Sequence, residues 1–152
     1  MFITRECDYA ARVLRALSGE TRLSVNEICE KESITAPFAY KILKKLQKAG
    51  IVKGYRGVHG GYAMNKSLGE LTLFDVYKAI DPDLFIIECM ASGYECPTDG
   101  KGDHLPCYMH RELCEIQQGV WEMLKRKSLQ EVLMPEMYRS EERRVGKECR
   151  SR

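Results

Sequence analysis

The stretch Leu46-Gln47-Lys48-Ala49-Gly50-Ile51-Val52-Lys53-Gly54-Tyr55-Arg56-Gly57-Val58-His59-Gly60-Gly61-Tyr62-Ala63-Met64 decides the fold. It joins the end of a lysine-rich helix to a short β-hairpin. Gly50 supplies the helix stop, because glycine reaches the left-handed backbone region without strain. Residues 51–56 and 62–64 form the two arms, with Gly57, Gly60 and Gly61 in the turn between them. No helix N-terminus follows these glycines, which argues against a nucleotide-binding loop.

Upstream, Thr35 is placed to cap the lysine-rich helix, and Pro37 lies in its first turn, where a missing N–H does no harm. Phe38, Ile42, Leu43 and Leu46 recur at helical spacing and are expected to face inward. Lys41, Lys44, Lys45 and Lys48 occupy the other side. Before this helix, Ser24 and Glu27 make a capping box that opens a second helix, with Val25 and Ile28 as core contacts. A first helix is capped by Thr4, presents Tyr9, Ala10, Val13, Leu14 and Leu17 as one stripe, and stops at Ser18-Gly19. Two short helices, a tight turn, a basic helix and a hairpin, in that order, predict a winged helix-turn-helix domain over residues 1–80. The fold class is mainly α with a small β-hairpin wing.

Charge agrees with that reading. The net charge of +2 is unevenly spread, with 13 Lys and Arg against 8 Asp and Glu in residues 1–80, and 5 against 11 in residues 81–138. A basic front half suits a polyanion, and Arg56 and His59 beside a glycine turn suit a phosphate or a minor groove. A solvated surface and a plain hairpin are the bland alternatives to each. No apolar run is long enough for a membrane span, and the first residues lack a signal-peptide core, so the cytoplasm is the expected compartment. Residues 139–152 have no apolar period and resemble the translation of a sequencing-library adapter. They are expected to be an artefact tail and are set aside.

Three segments carry a family resemblance: 46–52, the string Tyr55-Arg56-Gly57-Val58-His59-Gly60-Gly61-Tyr62, and Leu71-Thr72-Leu73-Phe74-Asp75-Val76-Tyr77-Lys78-Ala79-Ile80. Together they resemble the Rrf-two family of bacterial winged-helix regulators, across about residues 1–133. The resemblance implies a homodimer on duplex DNA with a roughly two-fold site, acting as a repressor rather than an enzyme. The third helix would enter the major groove, with Thr35, Ala36, Pro37, Tyr40 and Lys41 nearest the bases. Arg56, Gly57, His59, Gly60 and Gly61 would form the wing in the neighbouring minor groove. Lys44 and Lys45 would contact phosphates, which position the protein without reading sequence.

The back half holds a long helix pattern, strongest from about residue 108 to 127, and a dimerisation helix is expected over 108–134. Leu113, Ile116, Val120 and Leu124 form its stripe, with Trp121 and Met123 beside them. The family resemblance assigns this helix to dimerisation; a core helix is the alternative. Ahead of it, in a loop over 81–107, lie Cys89, Cys96 and Cys107, three of the chain's seven cysteines. Thiolates are soft ligands suited to iron–sulfur clusters or zinc. Cys7 and Cys29 fall in helices and are expected to be small core residues.

In IscR-like and NsrR-like members of the family three loop cysteines hold an iron–sulfur cluster. Here the gaps are six and ten residues, uneven for that pattern, which leaves a two-iron or four-iron type open. The resemblance offers two fourth ligands. His110 follows Cys107 in a Cys-x-x-His step, and Asp8 of the first helix would be donated by the partner subunit. Asp8 is preferred because it would tie the cluster to the DNA-binding domain, although local spacing favours His110. Cys114, one turn beyond His110, is a substitute candidate, although a buried position on the dimer helix is the preferred expectation for it. The reading is therefore a DNA-binding regulator sensing redox state, nitric oxide or iron through a cluster. The alternatives are a cluster-free regulator controlled by a protein partner or thiol oxidation, and an iron–sulfur electron carrier.

Overall fold

A computed structural model describes residues 3–91, 93–96 and 107–134. Helices α1 (Arg5–Leu17), α2 (Val25–Glu32) and α3 (Ala36–Lys48) lead into strands β1 (Val52–Tyr55) and β2 (Gly61–Met64). A 3₁₀ turn (Leu68–Glu70), α4 (Leu73–Ile80), a second 3₁₀ turn (Glu88–Met90), α5 (Tyr108–Lys125) and α6 (Leu129–Leu133) follow. The proposed adapter tail lies outside the described residues.

The local signals act as chemistry requires. Ser24 Oγ accepts from the Glu27 N–H while the Glu27 carboxylate accepts from the Ser24 N–H, closing the capping box that starts α2. At the end of α3, Gly50 has φ +71°, the Ile51 N–H reaches Leu46 O at 2.9 Å, and the Gly50 N–H reaches Gln47 O at 3.0 Å. This pair of bonds satisfies carbonyls the helix would otherwise leave open. Thr4 and Thr35 do stand at N-cap positions, but neither side chain makes a cap hydrogen bond.

One core packs α1 against α2, α3 and α4. Val13, Leu14, Leu17, Ile28, Ile42, Leu43 and Leu46 are buried, and so is Cys7, as a small apolar residue should be. Cys29 is half-buried against this core, and burial pushes its thiol up. Phe38 departs from expectation. It is 45% exposed, and Ala39 takes the inward position. The buried face of α3 runs through 39, 42, 43 and 46, which leaves Phe38 at its edge, edge-on to Tyr9 at 5.9 Å.

The long helix is shorter than the sequence suggested. It ends at Lys125, and a Ser128–Glu131 capping box starts α6. Leu129 is buried, and its N–H donates to Leu71 O at 2.7 Å. Residues 129–133 therefore return to the winged-helix body instead of extending α5.

Candidate nucleic-acid interface and cysteine site

The outer face of α3 carries Pro37, Tyr40, Lys41, Lys44 and Lys48, all exposed, with Thr35 exposed just ahead of it and Ala36 half-buried. Lys41 and Lys45 are engaged within the chain. Lys41 pairs with one carboxylate oxygen of Glu6 on α1, and Lys45 pairs with the other at 2.8 Å. Lys45 Nζ also donates to Ile80 O at 2.8 Å. Hydrogen bonds from Lys41 and then Lys45 hold the Glu6 carboxyl below its ordinary range. Lys44 is the more accessible of the two lysines expected at phosphates. Glu6 carries no signal of this role in the sequence, since nothing local couples residue 6 to residue 41.

Beside α3 stands the wing. Strands β1 and β2 pair antiparallel from Val52↔Met64 to Tyr55↔Gly61. The segment before α2 adds a third edge, because Leu23 and Tyr62 exchange backbone hydrogen bonds of 3.0 and 2.7 Å. Gly61 is required there. Its φ is +150°, and a Cβ would stand 2.4 Å from Leu23 O. Gly57, at φ +104°, turns the tip, and Arg56 and His59 are exposed on either side of it. Arg22 braces this tip. Its guanidinium lies 3.9 Å from the centre of the Tyr55 ring and donates to His59 O at 2.8 Å.

The cysteine segment is strapped along α5 by three side chains. Trp121 Nε1 donates to Leu84 O at 3.3 Å, Gln117 Oε1 accepts from the Ile86 N–H at 2.7 Å, and His110 Nδ1 meets Cys89 Sγ at 3.3 Å. The other ring nitrogen of His110 meets Cys114 Sγ at 3.4 Å, and the His110 backbone N–H donates to Cys107 Sγ at 3.3 Å. Cys89, Cys107, His110 and Cys114 thus gather at the start of α5. Cys96 is half-buried, and residues 97–106 lie outside the described residues. Among the described residues no three ligand side chains stand in a metal-holding arrangement. The donor set nevertheless fits a thiolate-bound centre in kind: sulfur and imidazole donors meet, and an N–H is aimed at a sulfur. Asp8, on α1, is exposed and pairs with Arg12 at 3.6 Å.

Helix α5 presents two faces. Gln117, Trp121 and Leu124 face the body, where Trp121 meets Phe74 edge-on at 5.8 Å. Leu124 packs with this chain's own core, apart from the rest of the expected stripe. Ile116 and Met123 are 53% and 65% exposed, and Leu113 and Val120 are half-buried beside them. Met109, Leu113, Ile116, Val120 and Met123 recur at alternating steps of four and three, the pattern of a helix-pairing seam.

Three helices, a basic outer face and a braced hairpin define a winged-helix protein. The family model of Rrf2, described as an iron-dependent transcriptional regulator, matches residues 3–135. The chain belongs to the Rrf2 family of transcriptional regulators. It is 35% identical over 100 residues to protein aau3 of Rhizobium meliloti, a match covering 64% of this chain and 65% of that one. The chain thus spans just under two thirds of that relative. It is 32% identical over 100 residues to the regulator NsrR of Geobacillus kaustophilus, covering 63% of this chain and 68% of that one. Two solved structures share the fold. CymR of B. subtilis superposes with a TM-score of 0.63 at 22% identity, covering 86% of this chain and 95% of that one. IscR of T. potens gives 0.65 at 19%, covering 86% and 85%. No helix among the described residues is long and apolar enough to cross a membrane.

Proposed function

We propose that this chain is a sequence-specific DNA-binding repressor that acts as a homodimer and senses through its cysteine segment. The observation that carries the reading is the exposed α3 face of Tyr40, Lys41 and Lys44 beside a wing tip bearing Arg56 and His59. The α3 N-terminus, with Thr35, Ala36, Pro37 and Tyr40, reads base edges in a major groove, and the wing lies on the adjacent backbone and minor groove. The α5 seam pairs two copies, which sets two reading heads on a two-fold site.

Cys89, Cys96 and Cys107 hold an iron–sulfur cluster in this proposal, and the cluster supplies a redox-responsive or nitric-oxide-responsive group. His110 is the fourth ligand favoured by its contact with Cys89, with Asp8 of the partner subunit as the other candidate. A second reading, control by thiol oxidation without a cluster, is favoured by the His110 ring lying between the Cys89 and Cys114 sulfurs. Protein isolated without oxygen decides between them. Iron and acid-labile sulfide in the parent protein, with a DNA affinity that changes on their removal, support the cluster. A metal-free protein whose DNA affinity changes on reversible thiol oxidation supports the second reading.

A further inference from the structure

We propose that Glu6 is a specificity-determining residue, an internal carboxylate that withholds Lys41 from DNA phosphates. The inference rests on the DNA-binding reading above. Glu6 lies in the first turn of α1, against the flank of α3 that presents Lys41 and Lys45. The two lysines take its two carboxylate oxygens, but their situations differ. Lys45 is also anchored to Ile80 O and is only one-third exposed, whereas the Lys41 side chain is 55% exposed with Glu6 as its ion-pair partner. An exposed ion pair of this kind shifts an equilibrium by no more than about fivefold. Lys41 is therefore held, and can be released.

Non-specific affinity comes from the number of lysines and arginines free to neutralise phosphates. A lysine already neutralised by a carboxylate of its own chain adds little to that number. Its stem stays fixed on the α3 flank, beside Tyr40, where it meets a correctly docked base pair. Glu6 thus lowers affinity for arbitrary duplex more than affinity for the operator. The chain places four lysines on α3 and leaves only part of that charge available to phosphate.

The test is a salt titration of duplex binding by fluorescence anisotropy, with a scrambled duplex as probe. Glu6→Gln should tighten scrambled binding by about threefold or more and steepen the slope of log K against log salt by about 0.9, one added phosphate contact. Lys41→Gln should weaken scrambled binding by less than about twofold, because the held ammonium contributes little. In the Lys41→Gln background, Glu6→Gln should then have no further effect. Unchanged or weaker scrambled binding by Glu6→Gln overturns the proposal. So does a tenfold loss from Lys41→Gln, or an undiminished Glu6→Gln effect in its background. A parent protein with no salt-dependent duplex binding overturns the DNA-binding reading itself.

Discussion

The backbone N–H of Ile86 donates a 2.7 Å hydrogen bond to Oε1 of Gln117, a side chain only 3% exposed on the inner face of α5. The bond fixes the segment that carries Cys89, three residues further on, against the helix that carries His110. Gln117 Nε2 has no partner among the described residues, so the residue is kept for its acceptor. Gln117→Met keeps the volume and removes the acceptor. The half-buried Ile86 N–H then loses its partner, which costs about 1 kcal/mol. Thermal unfolding should shift down accordingly, and Cys89 should react faster with a thiol reagent in the folded protein. An unchanged Cys89 rate would mean that the strap does not hold this cysteine.

The two faces of α5 separate assembly from stability. Ile116→Asp places a charge in an exposed apolar seam that the dimer would bury, so it should yield monomers in sedimentation and leave the melting temperature of the monomer nearly intact. Leu124→Ala touches the chain's own half-buried packing. It should cost about 1–2 kcal/mol, below the range for a fully buried leucine, without changing the sedimenting species. An Ile116→Asp protein that remains dimeric would place the interface elsewhere.

At the wing, Arg56 and Arg22 should behave differently. Arg56 is exposed at the tip and pairs with no carboxylate among the described residues, so Arg56→Ala should reduce the salt slope by about one unit and weaken binding to all duplexes alike. Arg22 is held by the Tyr55 ring and His59 O. Arg22→Ala should weaken binding through a loosened wing with little change in slope, and Arg22→Lys should not restore it, since an ammonium lacks the planar stack. A full unit of slope lost in Arg22→Ala would make Arg22 itself a phosphate contact.

The cysteines divide by burial. Cys89→Ser, Cys96→Ser and Cys107→Ser should each lose most of the iron and sulfide of anaerobically isolated protein. Cys7→Ser should retain both, because Cys7 is fully buried in the winged-helix core. His110→Ala should shift the visible spectrum, and Asp8→Ala should leave it unchanged if the fourth ligand comes from the same chain. The reverse pair of results would assign the ligand to Asp8 of the partner subunit. Zinc without sulfide would indicate a structural metal site instead.

Much of the fold was legible because its signals are local. The Ser24–Glu27 box, the Gly50 stop and the glycine turn each act within a few residues, and the α1 stripe of Val13, Leu14 and Leu17 follows helical period alone. Periodicity names a stripe but not what covers it, so it turns Phe38 inward and groups Leu124 with Ile116, whereas Phe38 is exposed and Leu124 packs on the core. The end of α5 has a readable mark, the Ser128-Leu129-Gln130-Glu131 capping box, which a continuous helix over 108–134 passes over. The contacts that organise the site join residues far apart: Glu6 to Lys41, Arg22 to His59, Gln117 to Ile86. No sequence spacing encodes such pairs. Only the polar Gln117 on the otherwise apolar inner stripe of α5 offered a hint.

In the proposed assembly two copies of this chain read one two-fold duplex site through α3 and the wing. Selection of bound fragments from a random duplex library, at a salt concentration that suppresses non-specific binding, tests it most directly. An inverted repeat whose half-sites lie about one helical turn apart should be enriched. Tyr40→Ala should change the enriched half-site, while Lys44→Ala should lower recovery without changing it. A pool that shows no enriched sequence after repeated rounds, or one that enriches a single unrepeated site, would contradict this assembly.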